Sequence, residues 1–178
     1  VCTSFADTAA ALPRSRGRWT GNPVRAELEE AFAARPKSRD ILLVFGGSAG
    51  ALSINRAVLA ALGRLAASGS TALPSRIIHQ AGAPGIDEVR AGYAALSIAA
   101  EVHEFIEDMA AAYASARIAV CRAGATTVAE LTSTGTPAIL IPFPHAAAHQ
   151  LANAVAVEKE GAAIVIPDGP DTAERLAA

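Results

Sequence analysis

No apolar run in this chain reaches the roughly 18–20 residues that a helix needs to cross a bilayer, so no transmembrane segment is expected. Cysteine is scarce: Cys2 and Cys121 stand far apart with no metal-ligand spacing, which excludes a disulfide framework and leaves reduced thiols in a cytoplasmic protein as the expectation. Aromatics make up 4% of residues against 52% apolar, so the core must be built from Ala, Val, Ile and Leu. Neither sign of charge is in more than slight excess. A net charge of −2 excludes an extended nucleic-acid surface, and the basic cluster Arg14, Arg16 and Arg18 reads as a solvated connecting segment. Gly-Lys-Ser/Thr occurs nowhere, which excludes a P-loop. With 178 residues there is still enough chain for one domain with a real core.

What is present is organised around Ile41-Leu42-Leu43-Val44-Phe45-Gly46-Gly47-Ser48-Ala49-Gly50. An apolar, partly β-branched run stops at a glycine-rich turn, and an alanine-rich helical pattern follows over 51–67. This predicts a buried parallel strand, a tight loop and a helix start. Glycines let backbone N–H groups approach a ligand, and the helix N-terminus there suits an anion such as phosphate. The same pattern also describes an ordinary strand-to-helix turn.

Taken in order, residues 1–5 read as a short strand and 6–20 as linker, broken by Pro13 and Gly17. Pro23 lies near the start of a helix running to about Ala34. After the helix at 51–67, strands are expected at 76–80, 98–103, 117–121, 138–141 and 163–166. Between them lie helices at 87–95, 109–116, 126–133 and 149–160, the last closed by Gly161, with a final helix from Thr172. Glu107 and Asp108 sit well for the dipole of the helix they precede. Six short apolar strands alternating with helices mean an α/β fold, a Rossmann-like open parallel sheet with helices on both faces. Ligands of such sheets bind beyond the carboxyl ends of the strands, which points to the loops after Phe45, Gln80, His103, Cys121 and Ile141.

The first loop does not fit the Gly-x-Gly-x-x-Gly spacing of a dinucleotide site, and the second strand ends at His79-Gln80 with no carboxylate for a ribose. A second glycine turn, Arg122-Ala123-Gly124-Ala125-Thr126-Thr127-Val128-Ala129-Glu130, again brings a helix N-terminus to the carboxyl edge. Glu130 there either accepts from both hydroxyls of a ribose or is a solvated helical glutamate. His145 and His149 stand four apart, as two metal ligands on one helix face do, but no third ligand accompanies them. Gln150, near a helix start, either bonds sugar hydroxyls or faces solvent. No Asp-x-Asp pair offers a divalent ion to a pyrophosphate, so a nucleotide diphosphate here would rely on helix dipoles and backbone donors.

Five stretches then occur in a familiar order: Gly21-Asn22-Pro23-Val24-Arg25, Gly46-Gly47-Ser48-Ala49-Gly50-Ala51, Phe105-Ile106-Glu107-Asp108-Met109, the run from Cys121 to Glu130, and Pro142-Phe143 through Gln150 to Asn153-Ala154. Over about 21–166 the chain resembles the C-terminal, donor-binding domain of the MurG transferases. This bacterial family moves N-acetylglucosamine from UDP-GlcNAc onto the undecaprenyl-linked muramyl-pentapeptide, lipid I, giving lipid II. The resemblance implies one half of a GT-B glycosyltransferase, with residues 1–20 a strand and linker from a preceding domain and 21–178 the UDP-GlcNAc-binding domain. It implies that Gly47 and Ser48 contact the diphosphate, that Ile106 recognises the uracil edge through its backbone, and that Met109 packs close by. It further implies that Ala125, Thr126, Thr127, Val128 and Ala129 bring the second helix start to the nucleotide, that Glu130 holds the ribose, Gln150 the sugar hydroxyls, and that Arg25 is a donor-site arginine.

The chemistry implied is inverting and needs no metal or other cofactor. Departures from the family pattern are Ala49 for a frequent Gln, Ala123 for a frequent Ser, and His149 for one Gln of a pair. No catalytic residue is expected in this chain, since the general base and the lipid I acceptor site belong to the family's N-terminal domain. The expectation is therefore a chain that binds UDP-GlcNAc and is largely inactive alone, cut from a protein that is peripheral on the cytoplasmic face of the membrane. Two alternatives stand beside it: a stand-alone donor-binding subunit of a split GlcNAc transferase, and another UDP-sugar enzyme of the same architecture.

Overall fold

The computed structural model describes residues 1–13, 16–36, 38–47, 50–144 and 149–178. Six parallel strands form the main sheet: β3 (Ile41–Phe45), β4 (Arg76–Gln80), β5 (Ala100–His103), β6 (Ala116–Cys121), β7 (Ala138–Leu140) and β8 (Ala163–Val165). Their spatial order is β5-β4-β3-β6-β7-β8, so the chain builds outward from β3 to one edge and then returns to build outward on its other side. The reversal falls between β3 and β6. There the connections leave in opposite directions, which is where sheets of this kind open a crevice at their carboxyl ends. Phe45 and Cys121 end these two strands side by side.

Strand side chains alternate between the faces. Leu43, Phe45, Ala119, Cys121, Ala138 and Leu140 point to one core, which is closed by α2 (Ala26–Ala34), α5 (Met109–Ser115), α6 (Ala125–Ser133) and α7 (His149–Lys159). Val44, Ile77, Val120 and Ile141 point to the other, closed by α3 (Leu52–Ala67), α4 (Ile86–Ala95) and α8 (Thr172–Ala177). Along α3 the buried residues Ile54, Val58, Ala61 and Leu62 follow helical spacing. Fully burying each of the larger ones is worth about 1.5–3 kcal/mol.

The expected fold class is found, and the ends of the expected elements of the main sheet and its helices differ by at most three residues. Helix α2 begins at Ala26, later than Pro23 suggests, because Arg25 keeps an extended backbone as its N-cap. Residues 6–20 are not all linker. They hold α1 (Ala6–Ala11) and β2 (Arg18–Trp19), which pairs in parallel with β1 (Cys2–Thr3). Both are too short to leave a period in the sequence. At the opposite, amino end of the main sheet lies an apolar groove of about 520 Å³, lined among others by Leu42, Leu62, Leu65, Ile118, Ile139 and Leu176.

Candidate functional site

The carboxyl edge gathers two helix starts at the crevice. Helix α3 opens from Ala51 and α6 from Gly124, and neither N-cap residue has a side-chain acceptor. Neither helix carries an acidic residue in its first turn, so the first N–H groups of both keep their positive ends unneutralised. Gly47 and Gly50 take φ of +100° and +76°, a backbone that disfavours other residues. A Cβ at Gly50 would also collide with the Ala81 carbonyl, so Gly50 lies directly on the chain that leaves β4.

Glu130 is held from two sides. The Tyr113 hydroxyl donates to its Oε2 at 3.1 Å, and the Arg25 guanidinium stands 3.9 Å from its Oε1. Tyr113 is fully buried, with its ring edge-to-face on Phe45 at 5.9 Å, so the end of β3 and the carboxylate on α6 are joined through one side chain. Burial raises the Tyr113 hydroxyl far above its ordinary value, and the hydroxyl stays a donor. Arg25 is largely exposed.

On the other side of β3, Gln80 donates through Nε2 to the Gly47 carbonyl at 2.7 Å, and its Oε1 accepts from the Ile106 N–H at 2.9 Å. Ile106 is buried and Met109 packs against the same core, both where the loop after β5 turns into α5. Asp108 caps that helix, its Oδ1 accepting from Ala111 N. The Ile106 N–H is thus taken by Gln80, and its carbonyl is the backbone group left for the base contact expected of this residue.

Ala125 and Thr126 are exposed at the start of α6, Thr127 and Ala129 half-buried, and Val128 is buried in the core. Gln150 folds back so that its Oε1 accepts from Phe143 N at 2.9 Å, and Asn153 donates to the Ala123 carbonyl at 3.0 Å. These two bonds tie α7 to the loops after β7 and β6. Ser48, Ala49 and His145 lie outside the described residues. His149 is exposed, and among the described residues no three His, Cys, Asp or Glu side chains gather as metal ligands.

Four residues at this edge have no role assigned from the sequence: Gln80, Arg122, Asp168 and Tyr113. In the sequence Gln80 marks a strand end that lacks a carboxylate. Arg122 is buried beneath the crevice, where it donates to the Ile141 carbonyl at 3.0 Å and Ser53 Oγ at 2.7 Å, pairs with Asp168 at 2.8 Å, and lies under the Phe143 ring. Ser53 in turn donates to Asp168 at 2.9 Å, so the first turn of α3 is fastened to the ends of β6, β7 and β8. A cation directly after an apolar strand is a readable signal for Arg122, whereas nothing local marks Asp168. Tyr113 carries no mark beyond being one of two tyrosines.

The fold agrees with what the chain is similar to. The model of the glycosyltransferase family 28 C-terminal domain matches residues 41–178. A UDP-N-acetylglucosamine–N-acetylmuramyl-(pentapeptide) pyrophosphoryl-undecaprenol N-acetylglucosamine transferase of Syntrophotalea carbinolica is 48% identical over 99% of this chain and 49% of its own length. The transferase of that name from Cupriavidus metallidurans is 46% identical, with the same coverage. The crystal structure of Acinetobacter baumannii MurG superposes with a TM-score of 0.76 at 33% identity, over 99% of this chain and 48% of that one. A glycosyltransferase of kitacinnamycin, at 22% identity and a TM-score of 0.62, shares the fold. The chain spans about half the length of the curated relatives it matches. It belongs to the glycosyltransferase family 28 C-terminal domain family.

Proposed function

We propose that this chain is the donor-binding half of an inverting glycosyltransferase that moves GlcNAc from UDP-GlcNAc to lipid I, making lipid II for peptidoglycan. The observation that carries the reading is Glu130, anchored by Tyr113 and Arg25 at the crevice between two uncapped helix starts, in a chain so similar to transferases of that name. In this reading the diphosphate lies at the starts of α3 and α6, the uracil at Ile106 and Met109, the ribose on Glu130 and the sugar near Gln150. Residues 21–178 form the donor domain and 1–20 belong with a preceding one.

The muramyl 4-hydroxyl attacks the anomeric carbon as the bond from that carbon to the phosphate oxygen breaks, and UDP leaves with the electron pair. The two helix starts stabilise the charge that develops on the leaving diphosphate, already oriented before the reaction begins. The proton goes to a base in the acceptor-binding half. Among the described residues no helix is long and apolar enough to cross a membrane, and contact with the cytoplasmic membrane face is assigned to that other half.

Calorimetric titration with UDP-GlcNAc, with UDP-glucose and NADH alongside, tests the reading. Saturable binding that prefers UDP-GlcNAc is expected. In Glu130→Gln, which keeps an acceptor for Tyr113, it should weaken by about tenfold or more, the worth of a charged hydrogen bond. Equal binding of NADH, or unaltered binding in the variant, contradicts it.

A further inference from the structure

Gln80 is a buried polar side chain at the last position of β4, 3% exposed, and both ends of its amide are in use. The partners fix its orientation: the Ile106 N–H can only be met by Oε1, and the Gly47 carbonyl only by Nε2. Its place in the register explains its reach. Gln80 pairs with Phe45 on one side and with His103 on the other, so the two loops that leave the neighbouring strands diverge on either side of this residue. Beyond the strand ends the ladder stops, and Gln80 continues it with a side chain.

The end of β4 is itself immobilised. His79 is bonded to Tyr93 and Asn55, Asn55 donates to the Ala81 carbonyl, and Ala81 N donates to the His103 carbonyl. The clamp therefore stands on a rigid base, and its two arms hold the backbone at Gly47 and at Ile106.

We propose that Gln80 is a positioning residue that couples the loop before α3 to the loop before α5, so that the diphosphate and base portions of a uridine nucleotide are bound as one cooperative event. The proposal rests on the donor-site reading above. It also gives Ile106 a defined polarity: its N–H is spent on Gln80, so a backbone contact to a base would fall to its carbonyl.

Two variants separate the arms. Gln80→Met removes both bonds at similar length. Gln80→Glu, when ionised, still accepts from Ile106 N–H but has no donor for Gly47. Amide hydrogen exchange by NMR, and titrations with uridine and with UDP, are read on the 178-residue chain. In Gln80→Met the Ile106 amide should exchange about tenfold faster and UDP should bind about tenfold more weakly. In Gln80→Glu the Ile106 amide should stay protected and uridine affinity hold within about twofold, while UDP affinity falls about tenfold. Gln80→Met binding UDP as the parent does, or Gln80→Glu losing uridine and UDP in equal measure, overturns the clamp. If the parent chain binds no uridine nucleotide, the functional reading fails, while the exchange rate at Ile106 still decides whether the clamp exists.

Discussion

Stability between neutral and mildly acidic pH hangs on one buried imidazole. His79 is wholly enclosed between β4, α3 and α4, with Nδ1 at 2.8 Å from the Tyr93 hydroxyl and Nε2 at 3.0 Å from Asn55 Oδ1. Asn55 spends its amide on the Ala81 carbonyl at 2.9 Å, so its oxygen must accept and Nε2 must carry the hydrogen. Nδ1 is then the acceptor for Tyr93. Protonation would put a second hydrogen between Nδ1 and Tyr93 and force the hydroxyl to turn away. Burial accordingly lowers the pKa of His79 from 6.5 to about 4.

The folded value lies below the unfolded one, so the contribution is complete above pH 6.5 and is lost as pH falls toward 4. From pH 7 to pH 5 the unfolded chain takes up a proton that the folded chain refuses, at a cost of about 2 kcal/mol. Glu88, held below its ordinary 4.5 by Arg56, enters only at lower pH. Urea unfolding at the two pH values should be followed by far-ultraviolet circular dichroism, because the single Trp19 is 65% exposed and reports poorly on the core. His79→Gln, which keeps an amide donor for Asn55, should be less stable at pH 7 yet lose most of the dependence on pH. A parent whose stability is flat over this range, or a variant with the parent's slope, refutes the reasoning.

Gly50→Ala combines a φ of +76° with a collision on the Ala81 carbonyl and should cost about 2 kcal/mol or more in thermal unfolding. Gly47→Ala, where φ is +100° but the space is open, should cost about 1 kcal/mol, and equal losses at the two sites would contradict this. Asp168→Asn leaves the buried Arg122 cation without its charge partner and should cost about 3 kcal/mol. The double variant Arg122→Met/Asp168→Leu should lose at least about 1 kcal/mol less than the two single losses summed, and strict additivity in a double-mutant cycle would count against a coupled pair.

The centre of the sheet was legible because β3 is covered on both faces, so it reads as an unbroken apolar run closed by glycine. Ile41–Phe45 lies where that pattern puts it, and Arg76–Gln80 lies where its isoleucine pair and the Ala81-Gly82 turn put it. The short helix Ala6–Ala11 was missed because six alanine-rich residues carry too little period, and its partner strand of two residues carries none. At the site, the glycine turns and Glu130 could be read as positions on one sheet edge. What holds them could not: Gln80, Tyr113 and the Arg122–Asp168 pair act across strands that only the fold brings together. A buried polar side chain at a strand end looks like an interruption in one dimension and becomes a clamp in three.

The central claim, that the crevice between β3 and β6 is a nucleotide-sugar site, is tested most directly by NMR shift mapping of the chain with UDP-GlcNAc. The shifts are expected at Gly46 and Gly47, at Ile106 and Met109, from Gly124 to Glu130, and at Gln150. Shifts gathered instead in the apolar groove around Leu62, Ile118 and Leu176, at the far end of the sheet, would contradict it.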